Sequence, residues 1–242
     1  MTKPVHPTYW PVLLEARDEA PGVRTFRFAS PAGFRFTPGQ FLMFHFADDP
    51  KTWRAYSICS SPLAESEYFE VTVGMVGAFS ERLGALKPHA EGGLAVRGPF
   101  GKWVYDGSIR HAVLVSGGTG LTPFRAMCLL KIGMRNENRI TLCCAAKRPD
   151  GLLYRQEYDE WRKNGIDVKE KVTQPGAGTD WDGEIGRWSA GSVFAAANDA
   201  AAVYYLCGPN KMVQELRDGL ERLGIPPQNV RTEKWGDYTD LF

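Results

Sequence analysis

The hydrophobic pattern of the sequence changes once, near Asp106-Gly107-Ser108. On the N-terminal side, short β-rich segments alternate apolar and polar residues, and turns containing proline or glycine separate them. Several short strands at this spacing predict an antiparallel β-barrel. The predicted strands cover residues 23–28, 40–46, 53–59, 68–75 and 94–98, and one amphipathic helix covers residues 78–86.

On the C-terminal side, continuous apolar strands alternate with turns and helices. This pattern predicts a doubly wound parallel sheet of the α/β class, in which helices cover both faces of the strands. Strands are predicted at residues 112–116, 140–145, 168–172, 203–206 and 230–233, and helices at residues 123–134, 152–164, 193–198 and 211–223. We therefore expect two domains, a β-barrel of residues 1–107 and an α/β domain of residues 108–242.

The composition is that of an ordinary globular protein and excludes several classes. Hydrophobic residues make up 43% of the 242 residues, charged residues make up 24%, and the net charge is +1. These values predict neither disorder nor a nucleic-acid-binding surface, and no apolar run approaches the roughly 20 residues of a membrane span. The first residues show no signal-peptide pattern, which predicts a cytoplasmic protein. The five cysteines and four histidines are scattered, so we expect reduced thiols, no iron–sulfur cluster and no metal site.

The tetrapeptide Arg54-Ala55-Tyr56-Ser57 contains the groups that a flavin nucleotide needs. A guanidinium can pair with phosphate, an aromatic ring offers a surface for the flavin ring, and a hydroxyl can donate near a ring nitrogen. Arg54 and Tyr56 would share one face of a strand. Taken alone, the tetrapeptide favours an ordinary strand whose aromatic side chains pack and whose arginine is solvated.

Gly77-Ala78-Phe79-Ser80 stands at the start of the amphipathic helix predicted in this half. Backbone amides and a serine hydroxyl at such a position can meet a phosphate. The alternative is an ordinary helix cap.

A strand runs into Gly117-Gly118-Thr119-Gly120 and then into a helix that begins near Pro123. Glycines let the backbone approach a phosphate closely, and proline fits the first turn of a helix. Thr119 and Thr122 add hydroxyl donors. The segment predicts a binding turn for a dinucleotide, although glycine turns also open many helices that bind nothing.

Cys207-Gly208-Pro209 ends a second predicted strand of the same sheet. Ligands bind at the carboxyl ends of such strands, so Cys207 is a candidate site residue. The alternative is a buried cysteine that acts as a small apolar side chain.

The order of these motifs along residues 10–236 resembles the ferredoxin–NADP reductase family, whose members carry a flavin domain followed by a nicotinamide domain. The resemblance implies that Arg54 contacts the flavin phosphate, that Tyr56 lies against the isoalloxazine ring, and that Ser57 lies near the nitrogen that accepts hydride. It also implies backbone contacts to the flavin from Val71, Thr72 and Val73.

For the nicotinamide half, the resemblance places Cys207 beside the nicotinamide, with Gly208 and Pro209 shaping the floor of that pocket. Glu233 would face the nicotinamide as a carboxylate that stabilises the productive complex or relays protons. Trp235, or the aromatic tail of residues 238–242, would cover the flavin face.

The cofactors are expected to be FAD, with FMN possible, and NADH or NADPH. Diphosphate binding at the turn of residues 77–80 favours FAD. Discrimination between the coenzymes depends on cations near the adenosine ribose. Gln174 stands where many relatives that use NADP carry an arginine, which favours NADH, whereas Lys147 and Arg148 keep NADPH possible.

The predicted function is transfer of hydride from NAD(P)H to bound flavin and then of single electrons to a separate protein. That acceptor would be a ferredoxin, a flavodoxin or an oxygenase component. Two alternatives remain at this point: a reductase of free flavin, and a subunit without catalytic activity that binds nucleotides in a larger complex.

Overall fold

The computed structural model describes residues 8–63, 67–89, 93–176 and 178–233. In its N-terminal half, two antiparallel sheets have the strand orders β1-β7-β4-β5 and β2-β3-β6. The elements in chain order are β1 (Thr8–Tyr9), β2 (Leu13–Ala20), β3 (Val23–Ala29), β4 (Phe41–Phe46), β5 (Asp49–Ser57), β6 (Tyr68–Gly74), α1 (Ala78–Gly84) and β7 (Leu94–Phe100).

Aromatic side chains form the core between these two sheets. The rings of Phe28 and Phe69 stack with centroids 5.4 Å apart, and Phe44 approaches Phe28 at 5.9 Å. A bridge between Ile58 and Val71 joins the end of β5 to β6. The antiparallel β-barrel that the alternating pattern predicts is thus confirmed as two sheets closed over one apolar core.

The C-terminal half is a six-stranded parallel sheet with the order β11-β10-β9-β8-β12-β13. Its elements are β8 (His111–Gly117), α2 (Thr122–Met134), β9 (Arg139–Ala146), α3 (Tyr158–Lys163), β10 (Ile166–Val172), β11 (Glu184–Ile185), α4 (Ala190–Ala197), β12 (Val203–Cys207), α5 (Asn210–Arg222) and β13 (Val230–Thr232). Apolar clusters cover both faces of this sheet. The predicted doubly wound α/β fold is confirmed.

The chain passes from β8 outward to β11 and then returns to β12 on the other side of β8. The strand order therefore reverses between β8 and β12. In open α/β sheets, ligands bind in the crevice outside the carboxyl ends of the strands at such a reversal. Gly117 ends β8 and Cys207 ends β12, so the topology brings both predicted nucleotide motifs to this point.

Several segments differ from the sequence-based prediction, among them the unpredicted strands β1, β2 and β11. The alternation did not predict β2, because four of the eight residues in LLEARDEA are charged; the strand lies at the edge of its sheet, where charged side chains are tolerated. The prediction that a helix begins at residue 152 was wrong. Residues 152–154 are buried and irregular, short 3₁₀ turns flank them, and α3 begins only at Tyr158.

The boundary between residues 107 and 108 stays a prediction. It falls in the connection between the end of β7 at Phe100 and the start of β8 at His111.

Candidate active site

A cleft of about 1280 Å³ opens between the two halves. One wall comes from β5, β6 and the start of α1, and the opposite wall comes from the glycine turn and the end of the parallel sheet. The residues singled out in the sequence that line it are Arg54, Ala55, Tyr56, Ser57, Thr72, Val73, Gly77, Phe79, Ser80, Thr119, Thr122, Pro123 and Glu233. Chain segments as distant as residues 54 and 233 thus meet around one cavity.

Arg54 and Tyr56 lie on the same side of β5, and both face Phe79 at the start of α1. The guanidinium carbon of Arg54 is 5.9 Å from the centroid of the Phe79 ring, and the Tyr56 ring centroid is 6.3 Å from it. The guanidinium donates to the carbonyl oxygen of Trp53 at 2.8 Å and remains exposed. A cation and two aromatic rings therefore border the same part of the cleft, which suits the phosphate and the ring of a flavin nucleotide.

Tyr56 stays neutral under ordinary conditions. Burial raises the pKa of its hydroxyl to about 12, against the opposing charge of Arg54. Its ring packs against Phe44 with centroids 5.4 Å apart, which fixes the orientation of the ring. The phenol is thus a rigid aromatic wall with a hydroxyl that can donate a hydrogen bond.

The turn before α1 uses the Ser80 hydroxyl internally. Its oxygen accepts hydrogen bonds from the amides of Val76 at 3.0 Å and Gly77 at 3.1 Å, and it donates to the Gly77 carbonyl at 2.8 Å. The hydroxyl therefore holds the turn in shape. Phosphate contacts at this turn would come from the backbone that borders the cleft.

The two glycine-containing turns of the sheet lie in direct backbone contact. Ser116 and Cys207 are paired in the register of β8 and β12. A Cβ on Gly120 would lie 2.2 Å from the carbonyl oxygen of Cys207, and a Cβ on Gly208 would lie 3.0 Å from the amide nitrogen of Gly117. Only glycine at both positions lets the turns approach this closely, which explains why these motifs, distant in sequence, share one site.

The thiol of Cys207 donates to the carboxylate oxygen Oε2 of Glu233 at 3.7 Å, and both residues are buried. Burial raises the pKa of Glu233 to about 7, although the hydrogen bond from Cys207 opposes the shift. The carboxyl group therefore changes charge near neutral pH, inside the cleft. A group with such a pKa suits proton exchange or stabilisation of a charge that develops during reaction.

The hydroxyls of Ser116 and Thr122 are buried and, among the described residues, have no protein partner. Buried polar atoms in native structures are ordinarily hydrogen-bonded. Both flank the glycine turn, and Thr122 lines the cleft. These orphan hydroxyls and the size of the cleft fit a bound dinucleotide.

Some predicted residues do not line the cleft. They are Val71, Gly117, Gly118, Gly120, Cys207, Gly208 and Pro209; of these, Cys207 contacts the lining residue Glu233 through its thiol. Lys147, Arg148 and Gln174 form a separate group, in which the amide of Gln174 donates to the carbonyl of Lys147 at 2.8 Å. Trp235 and the aromatic tail lie outside the described residues.

Several residues that line the cleft were not singled out in the sequence. They are Pro21, Gly22, Val23, Phe41, Phe46, Asp49, Thr52, Trp53, Gly74, Met75, Val76 and Arg82. The hairpin tip at Pro21-Gly22 reaches the cleft because the amide of Met75 donates to the Gly22 carbonyl at 2.7 Å. Among these residues, Val76 is an apolar side chain beside the glycine-containing turn and is 92% exposed in the structure.

Comparison with known proteins agrees with this geometry. The family model of the oxidoreductase FAD-binding domain matches residues 12–105, and that of the oxidoreductase NAD-binding domain matches residues 114–218. The two halves and their shared cleft define a flavoprotein oxidoreductase that uses FAD and NAD(P)H. The chain belongs to the ferredoxin–NADP reductase family.

Two curated relatives extend over most of the chain. Ferredoxin–NADP reductase B of Sorangium cellulosum is 29% identical over 236 residues, which cover 92% of this chain and 96% of that protein. The stachydrine N-demethylase reductase subunit of Rhizobium meliloti is 28% identical and covers 90% of this chain, which spans 64% of that longer protein.

A solved structure shares the fold over nearly the full length. The cytochrome b5 reductase domain of Ulva prolifera nitrate reductase superposes with a TM-score of 0.79 at 20% identity, covering 95% of this chain and 97% of that domain. Within the described residues, no helix combines the length and the apolar composition that crossing a membrane requires.

Proposed function

We propose that this chain takes hydride from NADH and delivers single electrons to a separate redox protein, such as a ferredoxin, a flavodoxin or an oxygenase component. The proposal is supported by the relatives, of which one is named a ferredoxin–NADP reductase and another the reductase subunit of a demethylase. The observation that carries it is the single cleft, in which the flavin-side residues Arg54 and Tyr56 face the glycine turn and Glu233.

In this proposal the side chains at and beside the cleft have the roles that the family resemblance implies. FAD, when bound, supplies an acceptor for hydride that can release electrons one at a time. Arg54 would hold its phosphate, and Tyr56 would set the plane of its ring, with Ser57 near the nitrogen that accepts hydride. Cys207 and Glu233 would flank the nicotinamide, with Glu233 exchanging a proton or stabilising positive charge.

The coenzyme preference rests on the group beside the ends of β9 and β10. Arg148 is exposed and lies 3.7 Å from the Asp150 carboxylate, which opposes its charge. Gln174, hydrogen-bonded to Lys147 through the backbone, adds no charge of its own. An additional phosphate on the ribose needs cations. Gln174 supplies none, which favours NADH, and the exposed Lys147 is the cation that would still allow NADPH.

The test is anaerobic addition of NADH or NADPH to the purified yellow protein, followed by the loss of flavin absorption at about 450 nm. We expect rapid bleaching, with NADH effective at lower concentration than NADPH. A preference for NADPH would overturn the coenzyme assignment. A yellow protein that neither coenzyme bleaches would overturn hydride transfer itself, and a protein purified without flavin would instead favour reduction of free flavin.

A further inference from the structure

Arg125 connects the two halves of the molecule from a position next to the cleft. It is the fourth residue of α2, one turn after Thr122, and its side chain is 11% exposed. Its Nη1 donates across the domain boundary to Glu70 Oε2 at 2.8 Å and to the carbonyl oxygen of Cys59 at 3.0 Å. Its Nε donates to both carboxylate oxygens of Glu157, at 2.9 and 3.1 Å. One guanidinium thus binds acceptors in both domains.

Glu70, the partner of Arg125 in the flavin half, is itself fixed by several hydrogen bonds. Glu70 lies in β6, and its side chain is 2% exposed. Its Oε1 accepts from Arg17 at 2.7 Å and from Arg27 at 2.9 and 3.0 Å. Buried and charge-assisted hydrogen bonds of this kind have fixed geometry, so Glu70 is a rigid anchor for Arg125.

A second link runs beside the first. The hydroxyl of Tyr154, in the nicotinamide half, donates to the Thr72 hydroxyl in β6, and Thr72 in turn contacts Thr25 at 2.6 Å. Tyr154 is fully buried and adopts a left-handed backbone conformation with φ 56°, which is uncommon for a residue other than glycine. The guanidinium carbon of Arg125 lies 5.0 Å from its ring centroid.

Both links attach at the walls of the cleft. Thr72 lines the cleft two residues after Glu70, and Thr122 lines it three residues before Arg125. The spacing between the flavin wall and the glycine-turn wall is therefore set directly by these contacts. Hydride transfer requires reacting atoms about 3–3.5 Å apart, and a misplacement of about 1 Å can cost on the order of 100-fold in rate.

We infer that Arg125 is a positioning residue, which fixes the distance between the two walls of the cleft across which hydride passes. The expected effect of Arg125 on the rate of hydride transfer rests on the proposed function. The structural consequence of the inference, that Arg125 couples α2 to β6, does not depend on that function.

The matched control is Arg162. It also pairs with two carboxylates, Asp159 at 3.1 Å and Glu170 at 2.5 Å, but all three residues lie within the nicotinamide half. A general loss of stability from removing a doubly paired arginine would affect both variants, and would be smaller in Arg162→Ala because Arg162 is 41% exposed and Arg125 is 11% exposed. A change in the spacing of the cleft would affect Arg125 alone.

The experiment compares Arg125→Ala, Arg125→Lys, Tyr154→Phe and Arg162→Ala by two measurements. The first is the limiting rate of flavin bleaching at saturating NADH, normalised to flavin content. Arg125→Ala should lower it about 10- to 100-fold, Arg125→Lys by less, and Arg162→Ala by less than about twofold. The second is amide hydrogen exchange in the protein stripped of flavin, where Arg125→Ala, unlike Arg162→Ala, should accelerate exchange in β6.

Wild-type rates and wild-type exchange of β6 in Arg125→Ala would overturn the inference, as would equal losses in Arg162→Ala. If Arg125→Ala fails to fold, Arg125→Lys and Tyr154→Phe decide the question, and wild-type behaviour in both overturns it. If the wild-type protein is not bleached by either coenzyme, the proposed function fails while hydrogen exchange still decides whether Arg125 couples the halves.

Discussion

At the scale of single residues, the pair of Cys207 and Glu233 shows how burial prepares a group for chemistry. The carboxyl group has the Cys207 thiol as a hydrogen-bond donor at 3.7 Å. One weak donor does not compensate for the loss of water around a buried carboxylate, so the pKa of Glu233 rises to about 7. At neutral pH, Glu233 is therefore ionised in part of the molecules and neutral in the rest.

This charge change predicts a pH dependence for hydride transfer. In the proposed complex Glu233 faces the nicotinamide, where its ionised carboxylate would stabilise the positive charge that departure of hydride leaves. Because Glu233 is neutral below about pH 7 and ionised above it, the limiting rate of flavin bleaching should rise through that pH, on the order of 10-fold. Stopped-flow measurement of this limiting rate, over a pH range of about 3 units centred on that pKa, tests the prediction.

Glu233→Gln should remove the step and keep the lower rate at all pH values. Glu215→Gln, which changes an exposed carboxylate on α5, is the control and should retain the step. An unchanged step in Glu233→Gln would assign the titration to another group.

At the scale of elements, the contact between the glycine turn and β12 depends on the absence of one side chain. A methyl group on Gly120 would meet the backbone oxygen of Cys207 at 2.2 Å, and adjacent paired strands hold both segments. Gly120→Ala should therefore destabilise the protein by about 1–3 kcal/mol. Thermal unfolding should show a midpoint lowered by about 2–4 °C per kcal/mol.

Gly191→Ala is the matched control, because a Cβ there meets only the Ser189 hydroxyl, at 4.0 Å, within α4. Alanine favours a helix over glycine, so this variant should be as stable as the wild type or more stable. An equal thermal midpoint in Gly120→Ala and wild type would show that the two turns can separate.

The elements also show what the sequence could and could not predict. Alternation and apolar runs predicted the strands of both halves, because each has one or two buried faces. They did not predict β2, whose charged side chains pair within their own sheet, as Arg17 does with Glu70 on β6, nor the two-residue strands β1 and β11. Residues 152–154 form an apolar run that helices and buried loops share, so the pattern could not distinguish them.

The candidate site likewise contains residues that could be predicted from the sequence and residues that could not. Arg54, Tyr56 and the glycine turn were predictable because their chemistry is local. The contribution of Pro21-Gly22 was not, because that hairpin tip reaches the cleft only through the pairing of β3 with β6. The contact of Arg125 with Glu70 likewise joins residues 55 positions apart that neither motif contains.

At the scale of the whole molecule, a buried charged cluster joins the halves. Glu70 accepts from Arg17, Arg27 and Arg125, so three cations surround one carboxylate. Burial alone would raise its pKa, but the Arg17 hydrogen bond and the charge of Arg125 hold the pKa at about 2. Removing one partner from such a cluster leaves uncompensated buried charge, which is strongly destabilising.

A depressed pKa gives a definite dependence of stability on pH. The contribution of Glu70 is fully present above its ordinary pKa of 4.5 and is lost as pH falls through about 2. Glu70→Gln should therefore lower the free energy of unfolding by up to about 3 kcal/mol at pH 7, and the deficit should shrink below about pH 4.5. Urea unfolding of both proteins across this range measures the difference.

Glu157, the second carboxylate that pairs with Arg125, differs from Glu70 in the direction of its pKa shift. Burial raises the pKa of Glu157, and the charge of Arg125 only partly opposes this. Ionisation of Glu157 in the folded state is therefore unfavourable relative to the unfolded chain, and Glu157→Gln should cost little or no stability at pH 7. Equal deficits in Glu157→Gln and Glu70→Gln, or a Glu70→Gln deficit that stays constant with pH, would contradict the assignment of Glu70 as the anchor between the two halves.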